Sequence, residues 1–444
     1  MELQESHKQL FGNTPITKLF FKCAIPSMIS MAAASLYMIA DGIFVGRFIG
    51  PGALAAVNLV MPIIMVTFAL SDMIAIGSAV QISIRLGEQN NKKASLIFSF
   101  SCKMILAIAF FAGSISWVFA PFLVSLLGAE GEVATMAVTY MRVYAFFSPL
   151  IMGFFAIDNY LRICGRVRYS MAMNLFTSVA NIGLDWLFIV KFRWGIGSAA
   201  LASCLCLALG NLICLYPFVS KKMVLYFTRG HMSRAQIGNI FANGSSEFFS
   251  NIAASVCMVL FNAVLMRMSG YMAVAAFSIV MYIDSVVKSI IFGMSDSVQP
   301  AISYNYGAMQ TNRVFALEKR AQISGFIISF SVMIWMLLKG DGMIRLFSDS
   351  ANAELITMST RAMKLFSLSY LVSWFGIISG SFFTALNRPL ASLAVSFCQT
   401  FVFPVCLLLF LPTILGLDGV WLTSLFAGIL TSCLTGVLMM RVLK

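Results

Sequence analysis

Residues 33–61 read AASLYMIADGIFVGRFIGPGALAAVNLVM, and residues 253–281 read AASVCMVLFNAVLMRMSGYMAVAAFSIVM. At a shift of 220 residues, Ala33, Ala34, Ser35 and Met38 fall on Ala253, Ala254, Ser255 and Met258, and Arg47 falls on Arg267. Gly50, Ala55, Ala56, Val60 and Met61 fall on Gly270, Ala275, Ala276, Val280 and Met281, with no gap. Further along, Gly165-Arg166 falls on Asn387-Arg388 at a shift of 222. The chain is therefore read as a duplication, with residues 1–220 and 237–444 as two halves and 221–236 as a polar linker.

Both halves are built for lipid. Of 444 residues, 60% are hydrophobic and 11% charged, and the mean hydropathy is +0.91. Apolar runs of roughly 20 residues, each long enough to cross a ~30 Å hydrocarbon core as a helix, recur along the whole chain. Twelve are expected, beginning near Leu19, Gly52, Ala94, Ala134, Ser170, Ser198, Gly238, Met272, Ala321, Glu354, Ser392 and Gly419. The reading is an all-α membrane protein with six helices in each of two lobes. An even number of spans per lobe gives the repeats one topology, related by a pseudo-two-fold axis along the membrane normal. The cleft between the lobes is the natural place for a small-molecule substrate.

With the N-terminus in the cytoplasm, 20 of the 30 basic residues fall on the inner side, from Lys8, Lys18 and Lys22 through Arg166 and Arg168 to Arg441 and Lys444. The positive-inside rule then puts both termini in the cytoplasm. The net charge of +13 reads as this loop bias and as contact with anionic lipid headgroups, not as a nucleic-acid surface. Residues 1–13 mix acids and bases and lack the order of a signal peptide, so the first helix is expected to stay. The ten cysteines lie mostly in apolar runs and read as small packing residues. His7 and His231 fall in polar segments and read as solvated.

Intramembrane carboxylates each cost roughly 2.5 kcal/mol or more, so each needs a partner, a proton or a task. Seven stand out: Asp41, Asp72, Asp158, Asp185, Glu247, Asp284 and Asp296. Asp158 precedes Arg162 and Asp284 precedes Lys288 at the i, i+4 spacing of a helical ion pair. Asp72 and Asp296 occupy corresponding second helices and suit either polar helix contacts or cavity walls. Asp41 and Asp185 have no base at helical spacing, and Asn181 sits one turn before Asp185. An amide that both donates and accepts can hold a carboxyl in either protonation state, and a desolvated carboxyl can exchange a proton within a physiological gradient. The bland alternative is a static hydrogen-bond cluster. Pro26 removes one backbone hydrogen bond and bends the first helix, either as a hinge or as a fixed kink. Tyr37 and Met38, within a turn of Asp41, are placed in the substrate cavity. The 29 methionines and 40 phenylalanines offer adaptable surfaces for flat cations, though most are expected to face lipid or core.

Ile82-Ser83-Ile84-Arg85-Leu86-Gly87-Glu88-Gln89-Asn90-Asn91-Lys92-Lys93-Ala94 follows the second helix, and its counterpart is Val298-Gln299-Pro300-Ala301-Ile302-Ser303-Tyr304-Asn305-Tyr306-Gly307-Ala308. With Asn181-Ile182-Gly183-Leu184-Asp185 and Trp194-Gly195-Ile196-Gly197-Ser198-Ala199-Ala200, these strings resemble the multidrug and toxic compound extrusion (MATE) family over nearly the whole chain. The resemblance is closest to its bacterial DinF-like, MepA-type branch. It implies a V-shaped bundle in the bacterial inner membrane that exports lipophilic cationic drugs by antiport against protons or sodium. It further implies proton coupling at Asp41, Asn181 and Asp185, bending at Pro26, and a cation-binding carboxylate at Glu247. If that cation is sodium it wants several oxygens, and Asn243, Ser246 and Asn251 are the candidates nearby in sequence.

No enzyme activity and no cofactor beyond the coupling ion is expected, and a monomer is expected. A Walker phosphate loop and the Asp-Arg-Gly-Arg loop of major facilitators are both missing from the sequence, which points to an ion gradient and away from that fold. A lipid-linked oligosaccharide or metabolite flippase of the same superfamily is the alternative. A channel lacks a repeated selectivity filter here, and an enzyme lacks a nucleophile paired with a base.

Overall fold

The computed structural model describes residue 5, residues 7–347 and residues 353–442. Lys444, counted above among the inner basic residues, lies outside them. Ten helices are long and apolar enough to cross a membrane, and a bent pair adds an eleventh. They are α1 (Ile16–Ile49), α2 (Pro51–Gly87), α3 (Asn91–Leu126), α4 (Gly131–Ile163), α5 (Val167–Lys191) and α6 (Ile196–Val219). After a non-helical connection comes the stretch Arg234–Gly307, whose 74 residues would reach about 110 Å as one rod. That is more than three ~30 Å bilayer cores. Ser269 and Gly270 (φ 68°) leave helical geometry, so the stretch is two spans, α7 (234–268) and α8 (271–307). Then follow α9 (Thr311–Gly340), α10 (Glu354–Leu371 with Ser373–Ala385, bent by 43°), α11 (Pro389–Leu415) and α12 (Leu417–Arg441). The twelve expected spans are present.

The repeat is written into the turns. Gly50 (φ 129°) ends α1 where Gly270 (φ 68°) ends α7, a backbone region that only glycine enters freely. Gln89 and Met309 take φ of 60° and 58° after α2 and α8, again 220 residues apart. Gly165 (φ 77°) and Asn387 (φ 56°) turn the chain before α5 and α11. Glycine and asparagine interchange there because both tolerate the left-handed region.

In lipid, helices gain little from apolar burial against one another and associate through close packing at small residues. The two halves meet in this way. A Cβ on Gly87 would lie 2.1 Å from the Tyr304 carbonyl oxygen, and one on Gly307 would lie 2.2 Å from that of Ile84. Since Ile84 and Tyr304 are themselves 220 apart, α2 and α8 cross on the pseudo-two-fold axis at a point with no side chain. A second crossing brings Gly77 against Ile240 and Gly244 against Met73, with built Cβ contacts of 2.0 and 1.7 Å to backbone oxygens. Gly293 of α8 packs on Ser27 and Met31 of α1. Ser35 donates to Ser289 at 2.9 Å, and Gln81 donates to the Asn387 side chain at 2.7 Å. The α2–α8 crossing lies at the face where α1 begins and α12 ends, here called the terminal face.

His7 corrects the sequence reading. It is 6% exposed, because residues 7–13 fold back helically beneath the bundle and do not hang in water. Its Nε2 lies 2.7 Å from the Ile163 carbonyl, and its ring packs on Phe11 and Tyr304. Burial holds its pKa down at about 4 against an ordinary 6.5, so the seated ring is neutral. The released ring binds protons below pH 6.5 and the seated one does not, so seating is fully favoured above 6.5 and weakens as pH falls toward 4. Hydrogen exchange of residues 7–14, corrected for intrinsic rates, should therefore be faster at pH 5 than at pH 7.5, and His7→Phe should flatten that difference. All ten cysteines are free. Cys406 and Cys433 are exposed on α11 and α12 rather than packed in the core, since a thiol is as compatible with lipid as with protein.

Candidate functional site

The first half buries its acids as a pair. Asp41 on α1 is 8% exposed and Asp185 on α5 is 0% exposed, and their carboxyl groups are within hydrogen-bonding reach of each other. Asn181 is 2% exposed. With its amide turned so that both ends are satisfied, it donates to Asp185 Oδ2 at 3.2 Å and accepts from Ser203 Oγ and N at 3.0 and 3.2 Å. One oxygen on each acid, Oδ1 of Asp41 and of Asp185, has no hydrogen-bond partner. Tyr37, Tyr140 and Tyr144 stand within electrostatic range of the pair. Chemically, the arrangement is a buried carboxyl pair with spare acceptor capacity and a neutral amide to orient it.

The helices that carry the pair change geometry just past it. α1 is α-helical through Phe44 and widens to a π turn over Val45–Ile49. α5 widens over Trp186–Lys191, immediately after Asp185. The two π segments pack against each other. π turns inside α-helices recur at functional sites because the extra residue loosens the i→i−4 ladder. Pro26 sits within α1 nearer the terminal face, and the helix continues across it; its carbonyl accepts from Ser30 Oγ at 3.0 Å.

The large cavity is in the second half. About 480 Å³ opens among α7, α8, α10, α11 and α12, with Ile76 of α2 at its edge. Asp284, Lys288, Phe292 and Asp296 line it at four-residue intervals along α8, one face of that helix. Glu247 faces it from α7 and interacts electrostatically with Asp296 and Asp72. Tyr37 and Met38 do not line it: Tyr37 belongs with the acids and Met38 is half-exposed. In the first half Tyr140 and Tyr144 are buried, whereas the second-half cavity is lined by small serines and threonines together with Phe261, Phe277, Phe292 and Phe366. The void of about 20 Å³ between α2, α3 and α4 holds little more than a water.

Of the oxygen ligands expected around Glu247, only Asn251 reaches it, at 3.4 Å. Asn243 donates instead to the Thr384 carbonyl and Ser246 to that of Asn243. Among the described residues, no cluster of three His, Cys, Asp or Glu side chains has metal-holding geometry.

The two helical ion pairs are formed. Asp284 binds Lys288 Nζ at 2.6 Å and accepts from Tyr370 Oη at 2.9 Å. Asp158 binds Arg162 and Ser170, and accepts from Asn174 Nδ2 at 2.8 Å. With Arg162 only 7% exposed, Asp158→Ala leaves a buried charge unpaired and should cost about 3–5 kcal/mol, read as a lowered Tm in detergent. One further buried acid went unread in the sequence. Glu318 of α9 is 6% exposed and accepts from Gln322, which also donates to Ser379 at 3.0 Å. Its neighbours Lys319 and Arg320 made that stretch look like a polar helix end.

The comparisons with known proteins agree with this architecture. The chain is 26% identical to the multidrug export protein MepA of Staphylococcus haemolyticus (strain JCSC1435) over 420 residues, 94% of this chain and 92% of the relative. It is 23% identical to the MepA of Staphylococcus aureus (strain MSSA476), covering 96% and 94%. A solved MATE structure in complex with MaL6 superposes with a TM-score of 0.91 at 25% identity, covering 98% of each chain. The outward-facing conformation of a multidrug resistance MATE family transporter of the MOP superfamily gives 0.90 at 25% identity, covering 98% and 97%. The MatE family profile matches residues 26–187 and 248–409, one match in each half and 222 residues apart. The chain is a member of the MatE family.

Proposed function

We propose that this protein is an antiporter that exports lipophilic cationic drugs and dyes across the bacterial inner membrane in exchange for protons, with the terminal face in the cytoplasm. Its family comprises transporters, not enzymes, and its relatives are named for multidrug export. The observation that carries proton coupling is the Asp41–Asp185 pair, two buried carboxyls in mutual reach with no basic partner. Two like charges held that close favour a proton between them. Loading and losing that proton changes what α1 and α5 are bonded to at the point where both widen. The basic bias of the terminal face supports its cytoplasmic placement. The second-half cavity is of a size for a drug-like cation, with Glu247 and Asp296 for its charge and Phe292 for its ring.

A sodium-coupled reading rests on Glu247, whose carboxylate and Asn251 amide face the same cavity. Proteoliposomes loaded with ethidium separate the two. Efflux that follows an imposed pH gradient and stops with a protonophore supports the proton reading. Efflux that ignores the pH gradient and follows imposed sodium overturns it in favour of Glu247.

A further inference from the structure

The segment ahead of α1 is bonded to both halves of the molecule at once. Toward the first half, His7 meets the Ile163 carbonyl at the end of α4, and Leu10 lies against Gly165, whose built Cβ would be 2.5 Å from Leu10 Cδ2. Toward the second half, Asn305 of α8 donates to the Phe11 carbonyl at 3.1 Å. Arg313 of α9 donates to the carbonyls of Phe11 and Thr14 at 3.0 and 2.8 Å, while its Nε holds Asn305 Oδ1 at 2.9 Å. The Tyr304 ring packs on both His7 and Phe11, at 5.3 and 5.5 Å between centroids. Tyr304 is also the residue whose carbonyl meets Gly87 at the α2–α8 crossing, and its hydroxyl accepts from Gln89 of the α2–α3 turn at 3.2 Å. Phe11 is 1% exposed, so the segment is packed in, not draped over.

The chain connects this segment to α1, so its contacts with the first half are not challenged when the halves part. Those with Tyr304, Asn305 and Arg313 are. If α2 and α8 separate at their crossing, either the segment stays with the first half and gives up a charged donor and two carbonyl bonds, or it stays with α8 and α9 and pulls His7 and Leu10 out of their seats. The two sets cannot both survive.

We propose that residues 7–14 are a latch that holds the cleft closed on the terminal face, and that the latch must leave one of its two seats before the cleft opens there. The inference rests on the two-state cycle of the proposed transport, but its test reads distance and not transport, so the two can fail separately.

Spin labels at Lys92→Cys and Met309→Cys, exposed positions on either side of the crossing, report the separation of the halves in the full-length protein with Cys406 and Cys433 replaced by serine. The latched protein should give a dominant short distance. Arg313→Ala and Phe11→Ala should each move the ratio of long to short by about tenfold, corresponding to about 1.4 kcal/mol, with Arg313→Lys intermediate because it keeps one donor but loses the fork. Each variant is first checked for an unchanged gel-filtration profile. Distributions that match the parent in both alanine variants overturn the latch. So does an equal shift from Arg234→Ala, an exposed residue at the start of α7 that makes none of these bonds.

Discussion

Asp41→Asn should reduce proton-driven dye efflux in proteoliposomes to the rate of protein-free vesicles, and Asp185→Asn should do the same. Asparagine keeps the size of the side chain and can donate its amide to the opposite carboxyl, so the packing of α1 on α5 survives. What it cannot do is bind and release a proton. A fall of more than about tenfold, a barrier increase above about 1.4 kcal/mol, with dye binding and Tm retained, would identify the lost function as coupling. Full pH-driven efflux in Asp41→Asn would remove this acid from the mechanism. Asn181→Leu is the companion case. It takes away the donor to Asp185 Oδ2 and the acceptor for Ser203, and efflux should be impaired with a shifted pH profile, because the acid loses its orienting amide but keeps its proton site.

The second large effect is expected at the glycine crossing. A methyl group on Gly307 would sit 2.2 Å from the Ile84 oxygen and 2.8 Å from its carbonyl carbon, whereas ordinary contact between such atoms is 3.4 Å or more. No rotamer of a neighbour relieves this, because the obstacle is main chain. Gly307→Ala must therefore push α2 and α8 apart by more than about 1 Å, and overpacking of a rigid contact costs about 1–3 kcal/mol. That cost falls only on arrangements in which the helices touch. The variant should fold, lose efflux, and show the Lys92–Met309 label pair at a longer distance. Gly87→Ala should match it by the pseudo-symmetry, whereas Gly238→Ala, with nothing near its built Cβ, should be silent. Normal transport by Gly307→Ala would mean that this crossing never closes during turnover.

The spans, the duplication and the acids on α1 and α5 could be read from the chain because membrane helices announce themselves by uninterrupted hydropathy and because intramembrane carboxylates are too costly to be incidental. The pairing of Asp41 with Asp185 could be suspected only from their common depth, since helix-to-helix azimuth leaves no trace in spacing. His7 was misread for a local reason. Its neighbours in sequence are polar, while its neighbours in space, Phe11 and Tyr304, lie 4 and 297 positions away. The second-half cavity could not be read from the chain, because void space is a property of what packing leaves unfilled. Tyr37 and Met38 looked like cavity walls by proximity to Asp41, but neither lines that one, and Tyr37 stands with the acids. Glu318 was hidden by the basic pair that follows it near the start of α9, although the acid itself is buried.

The wide turns beyond Asp41 and Asp185 carry one more consequence. A π turn stores a surplus residue, and since these two close α1 and α5, resolving one into ordinary α geometry rotates the connecting turn beyond it by about 100° and advances it by about 1.5 Å. Since the two wide turns touch, such a slip in one would have to be answered by the other, like teeth on meshed gears. A chemical event no larger than one hydrogen nucleus, arriving at the acids, could then be converted into a change of azimuth at the far rim of the bundle, with no helix needing to unfold.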